Sequence, residues 1–152
     1  MPDAVYKQAM DQVVTILQGL DLEGIADNEI KVRKFPWDDT TPPHKGITVS
    51  WEEEMEGSGT NCRDDIGYPI IVTLCQGTGK GWSDDMDRIT TWRQAIRQRF
   101  LNARLDGVSV TGVSPLPCKV KHGKPELPEK YKKNYDVSQL VIIAWFRESR
   151  TS

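Results

Sequence analysis

Little in this sequence suits metal or redox chemistry. Its three cysteines, Cys62, Cys75 and Cys118, are odd in number and contain no C-x-x-C pair. That argues against a disulfide framework and fits a reducing cytosol. Only His44 and His122 stand beside them, and no zinc-ligand spacing is present. Long apolar runs are also missing. The longest, LVIIAWF at Leu140–Phe146, falls far short of the roughly 20 residues that span a bilayer. The opening MPDAVYKQAMDQ lacks the basic segment and apolar block of a secretory leader. Neither G-x-S-x-G nor H-E-x-x-H occurs. These absences lead us to expect no cofactor, no metal, no membrane contact and no catalysis.

What is present is a single domain's worth of chain, 152 residues with 28% charged and 38% hydrophobic. The net charge of −2 conceals a split. Residues 1–87 hold 17 acidic and 7 basic residues, a net of −10, and residues 88–152 hold 5 and 13, a net of +8. Such polarity suits complementary surfaces on one subunit.

Apolar periodicity sets out the elements. Tyr6, Ala9, Met10, Val13, Ile16, Leu17 and Leu20 recur at three and four, predicting a helix with Asp3 as cap and Gly24 as stop. Ile30 and Val32 alternate with charge in a first strand, and Ile47, Val49 and Trp51 form a second. Residues 54–67, EMEGSGTNCRDDIG, are expected to be a long polar hairpin tip. Tyr68–Cys75 predicts a third strand buried on both faces. Met86, Ile89, Trp92, Ile96, Phe100 and Ala103 predict a second helix. Val108 and Val110 predict a fourth strand and Leu140–Phe146 a last one, with a basic Pro/Lys-rich loop over 114–136 between them. The expected fold is α+β: a mostly antiparallel sheet with two helices packed on it, in the order α-β-β-β-α-β-β.

The stretch CQGTGKGWSDDMDR places a glycine-rich lysine loop, Gly77–Lys80, between strand and helix. A phosphate-binding loop needs G-x-x-x-x-G-K-[ST]. Here Leu74 stands five residues before Gly79, and Gly81 follows Lys80. With Ser83 as N-cap, Asp84, Asp85 and Asp87 fill the first helical turn, where they would repel a triphosphate. A conformational turn explains the loop better than a nucleotide does.

Three charged groups remain as candidate surfaces. Glu52, Glu53, Glu54, Glu56, Asp64 and Asp65 cluster with no histidine near them, which favours a solvated acidic surface over acid–base work. Arg93, Arg97 and Arg104 fall on one side of an ideal helix and predict a basic contact stripe. Lys119, Lys121, Lys124, Lys130, Lys132 and Lys133 make the 114–136 loop basic, with Tyr131 and Tyr135 interleaved. Lysine with aromatics can hold nucleic acid, though no RNP, KH or finger motif accompanies them.

The element order, and above all WRQAIRQRFLNARLDGVSV at Trp92–Val110, resembles the tail-terminator and neck proteins of tailed bacteriophages. The resemblance implies a homo-oligomeric ring, usually of six copies, in the virion. The ring is assembled in the host cytoplasm, ends the tail tube and joins it to the head connector. It leaves open the choice between tail terminator, adaptor and head-completion protein. On this reading the six acidic residues face the lumen or an axial partner, where they would let DNA pass without binding. Arg93, Arg97 and Arg104 would meet a neighbouring subunit, and the six lysines would form an arm to an adjacent ring. The alternatives are a nucleic-acid-binding module using the basic half and a small nucleotide-binding enzyme using Gly77–Lys80.

Overall fold

Two amphipathic helices lie on one face of a seven-stranded sheet in the computed structural model. It describes residues 4–22, 25–32, 45–52, 55–59, 63–77, 82–123 and 135–149. Helix α1 spans Val5–Gly19 and buries Val5, Ala9, Val13 and Leu17, one residue per turn. Its N-cap is Ala4, without a side-chain hydrogen bond; the expected cap Asp3 and stop Gly24 lie outside the described residues. The helix stops at Gly19, and Asp21 turns the chain at φ 51°. A 3-10 turn at Asp27–Glu29 leads into β1, Ile30–Val32, which pairs parallel to β2, Lys45–Trp51. Then follow β3, Met55–Gly59, β4, Arg63–Gly77, and helix α2, Trp82–Phe100. Strands β5, Val113–Pro115, β6, Lys119–Gly123, and β7, Tyr135–Ser149, complete the chain.

The fold is the expected α+β arrangement, and every strand pair except β1–β2 is antiparallel. Its spine is β4 against β7, paired from Arg63↔Ser149 to Gly77↔Tyr135. Strands β1, β2 and β3 lie on the β4 side; β5 and β6 lie on the β7 side. Alternate residues of the spine, Ile70, Val72 and Leu74 with Leu140 and Ile142, join Ile47 and Val49 beneath the helices. There they meet the α1 stripe and Ile89, Trp92, Ile96 and Phe100 of α2. Each such side chain withdrawn from water contributes about 1.5–3 kcal/mol. The opposite face is polar where β2 crosses it. Thr48, Ser50 and Thr73 are buried there, and Gln139 Nε2 donates to Thr73 Oγ1 at 3.0 Å. The hydroxyls of Thr48 and Ser50 have no hydrogen-bond partner among the described residues.

Both outer strands are interrupted at one level of this spine. From Trp51↔Ile70 to Met55↔Gly67 the outer chain advances four residues against three of β4. From Pro115↔Phe146 to Lys119↔Ile143 it again advances four against three, on the β7 side. Each extra residue is a bulge, which bends the strand and increases its twist. Tyr6 plugs the first bulge. Its hydroxyl accepts from the Glu52 N–H at 2.7 Å, lies 2.9 Å from the Glu52 carbonyl, and donates to the Pro69 carbonyl. Leu116 closes the second by donating its N–H to the Trp145 carbonyl at 2.8 Å. Gly67 sits at the same level because a Cβ there would meet the Trp145 ring at 3.0 Å.

Several sequence expectations are corrected. Residues 54–67 are mostly paired strand rather than hairpin tip, because β3 and the start of β4 continue the ladder. The strand after α2 lies at Val113–Pro115. The Val108/Val110 alternation belongs instead to an irregular segment that plugs Leu105 and Val108 into the core. Two of its N–H groups are met by α1 and by the segment itself: Ser109 donates to Gln8 Oε1 at 2.9 Å, and Val108 donates to the Leu105 carbonyl at 3.3 Å. The 114–136 loop begins as strand, since β5 reaches Pro115 and β6 follows. Ser83 is the second residue of α2 rather than its N-cap.

Candidate interaction surfaces

The acidic candidates gather along the β2–β3 flank and the outer end of the spine. Glu52, just beyond β2, has its backbone fixed by Tyr6 and its side chain exposed. Glu56 stands on β3 opposite Ile66, not in a loop. Asp64 and Glu148 are cross-strand partners whose side chains share the helix-side face, and the Tyr68 hydroxyl donates to the Glu148 carboxylate. Like charges placed directly opposite are unfavourable, so neutral donors at this position stabilise the sheet. Asp65 points to the other face and pairs with Arg147 at 2.8 Å and 3.2 Å. The Arg147 hydrogen bond holds its carboxyl below the ordinary carboxylate range, and the same bond raises the guanidinium. Asp65 therefore cannot offer the free negative charge expected of it. Glu53 and Glu54 lie outside the described residues.

Exposed aromatic surface adjoins these acids. Trp51 is 52% exposed on the helix side of β2, with the Tyr6 ring edge-on at 6.4 Å. Tyr6 in turn packs at a tilt against Tyr68, ring centroids 5.0 Å apart, and Tyr68 meets Phe146 edge to face at 5.9 Å. Val32, 42% exposed, lies on the same face of the neighbouring β1.

The basic candidates lie on the other flank, and the expected three-arginine stripe does not exist. Arg93 turns inward. Its Nη1 donates to Ser138 Oγ at 2.7 Å and to the Gln139 carbonyl at 2.9 Å, and Nη2 meets His122 Nδ1. Burial, then repulsion from Arg97 one turn on, holds this guanidinium below its ordinary value. Arg93 thus pins α2 to β7 and β6. Arg97 faces solvent. Arg104 lies beyond the helix, which ends at Phe100 when Asn102 takes φ 63°. Leu101, at the same helix end, is 44% exposed, with exposed Arg97, Arg99 and Arg104 within four residues. This end is tied to the strand side: Asn102 donates to the Cys118 carbonyl at 2.9 Å and Cys118 to the Ala103 carbonyl at 2.7 Å.

Lys119 and Lys121 are exposed on β6, paired with Ile143 and Val141. They belong to an edge strand rather than an arm, and lysines there discourage unwanted strand pairing. Lys124, Lys130, Lys132 and Lys133 lie outside the described residues. Gly77 is the last paired residue of β4, opposite Tyr135; residues 78–81, with Lys80, are outside.

A cleft of about 150 Å³ lies between β5 and the end of β7, lined by Gly112, Val113, Ser114, Arg147 and Ser149. Among the described residues no three His, Cys, Asp or Glu side chains converge as metal ligands. Burial pushes the Cys118 thiol up to about 11, so it is not a thiolate at neutral pH. No described helix is long and apolar enough to cross a membrane. Sequence reasoning missed Tyr6, His122, Arg147 and Glu148. Only Arg147–Glu148, breaking the apolar run of β7, left a local signal. No protein-family model matches the chain, and no curated protein matches it.

Proposed function

We propose that this protein is a structural subunit of a phage neck or tail. In this reading it forms a homo-oligomeric ring of six copies that ends the tail tube and joins it to the head connector. One observation supports the reading: the exposed candidate residues of opposite charge, Glu52 and the Arg97–Lys121 group, stand on opposite flanks of one sheet. Glu52 is exposed just beyond β2; Arg97, Arg104, Lys119 and Lys121 are exposed on the α2–β6 side. A head-to-tail interface needs two different patches of one subunit, and complementary charge registers them. Asp64 and Glu148, at the outer end, suit a wall past which DNA slides, since capture of phosphate by cations is what makes DNA binding tight.

Arg97→Glu tests the reading. It is expected to reduce assembly, followed by light scattering and particle imaging, while leaving the melting temperature unchanged, because Arg97 is exposed. Equal loss of both would make Arg97 part of the fold alone. A persistent monomer with a nucleotide-dependent melting shift would overturn the ring in favour of an enzyme. Salt-dependent retention on DNA would favour a nucleic-acid module.

A further inference from the structure

We propose that Trp51 and Leu101 are the two halves of one self-association interface: the Trp51 patch of one copy seats on the Leu101 end of α2 of the next. This deepens the ring reading and rests on it. Among the described residues only Val32, Trp51 and Leu101 are exposed large hydrophobics. Val32 and Trp51 are neighbours on one face, so the three residues make two patches. The patches lie on opposite flanks of the β4–β7 spine, Trp51 on β2 and Leu101 beside the segment leading into β6.

The exposed charges nearest Trp51 and Leu101 in the chain differ in sign. Glu52 follows Trp51 and is exposed. Arg97, Arg99 and Arg104 surround Leu101 in sequence and are exposed. Two Trp51 patches would bring two Glu52 carboxylates together, and two Leu101 patches would bring arginines together. Only the unlike pairing is favourable, so the contact is heterologous and propagates into a ring or a filament. Tryptophan and arginine are the residues that most often dominate such contacts, the ring covering apolar surface and the guanidinium stacking on it. Trp51 is preset for this role. Tyr6 holds its ring edge-on, and the same Tyr6 hydroxyl fixes the backbone of Glu52.

The test uses two variants of the full chain, Trp51→Glu and Leu101→Glu, each checked for an unchanged circular dichroism spectrum and melting temperature. Each is expected to weaken self-association by about thirtyfold or more in sedimentation velocity. An equimolar mixture is expected to stop at heterodimers, since one intact patch remains on each partner. The pair Glu52→Arg with Arg97→Glu in one chain is expected to restore assembly that either change alone reduces. Wild-type multimers untouched by both variants would overturn this interface and leave the ring reading standing. A wild-type chain that stays monomeric up to millimolar concentration would also overturn it, and imaging of assembled particles would then decide the ring reading separately.

Discussion

The two long strands β4 and β7 run through two different environments. Beneath the helices their partners are Ile70–Ile142 and Val72–Leu140, all fully buried. Beyond the bulges they are Asp65–Arg147 and Asp64–Glu148. The backbone ladder is continuous across both, so pairing alone does not distinguish them. What differs is what lies on top. Helical cover supplies the apolar burial that makes the inner part the stable unit, and the outer part holds by its ladder, the Phe146 side chain and one ion pair. The bulges stand at the border, where the sheet leaves the shelter of α1.

The sharpest way to break this contrast is Trp92→Ala. Trp92 is fully buried where α2 meets the sheet, and its loss is expected to cost about 3–5 kcal/mol in urea unfolding. A smaller cost would mean that α2 does not anchor the inner part. Next comes Tyr6→Phe, which keeps the ring and removes the hydroxyl from the bulge. A loss of about 1–3 kcal/mol is expected, with faster hydrogen exchange at the Glu52 amide. Unchanged exchange there would show that the bulge holds itself. Thr48→Val should raise stability by about 1 kcal/mol, because it replaces a buried hydroxyl that lacks a partner among the described residues with a methyl of similar shape. A decrease would reveal a hydrogen bond from the Thr48 hydroxyl to a group outside the described residues or to ordered water.

The smallest effect belongs to the outer ion pair. Asp65 titrates below its ordinary value of 3.8, so its contribution is present in full above that pH and is lost as pH falls through the lower folded value. Arg147→Gln should leave the neutral-pH midpoint nearly unchanged, as exposed pairs do, and should return the Asp65 carboxyl, followed by NMR, to the ordinary range. An Asp65 titration indifferent to this substitution would dissolve the pair.

Much of the inner part was legible in the chain. The α1 and α2 stripes and the alternation of Ile47–Val49 each report a local surface turned toward the core, and such periods survive in one dimension. The outer part was not. EMEGSGTNCRDDIG reads as loop because strand is there held by partners β4 and β7 rather than by its own apolar pattern. Val108 and Val110 misled for the converse reason: two alternating valines can be plugs of an irregular segment when Gln8 and nearby carbonyls meet its N–H groups. The charged candidates were visible as residue types, yet their roles diverged. Arg93 turned inward to Ser138, Asp65 was claimed by Arg147, and Arg97 stayed outside.

By itself the sequence determined the helices, the buried faces of the central strands and the presence of two blocks of opposite charge, because each depends on residues near one another in the chain. Only the tertiary structure decided where the described charges stand in the sheet, where the outer strands are interrupted, and which charges are already neutralised. These depend on register between strands up to 80 or more residues apart, as in the Asp65–Arg147 contact across 82 positions, and no local pattern encodes such pairings.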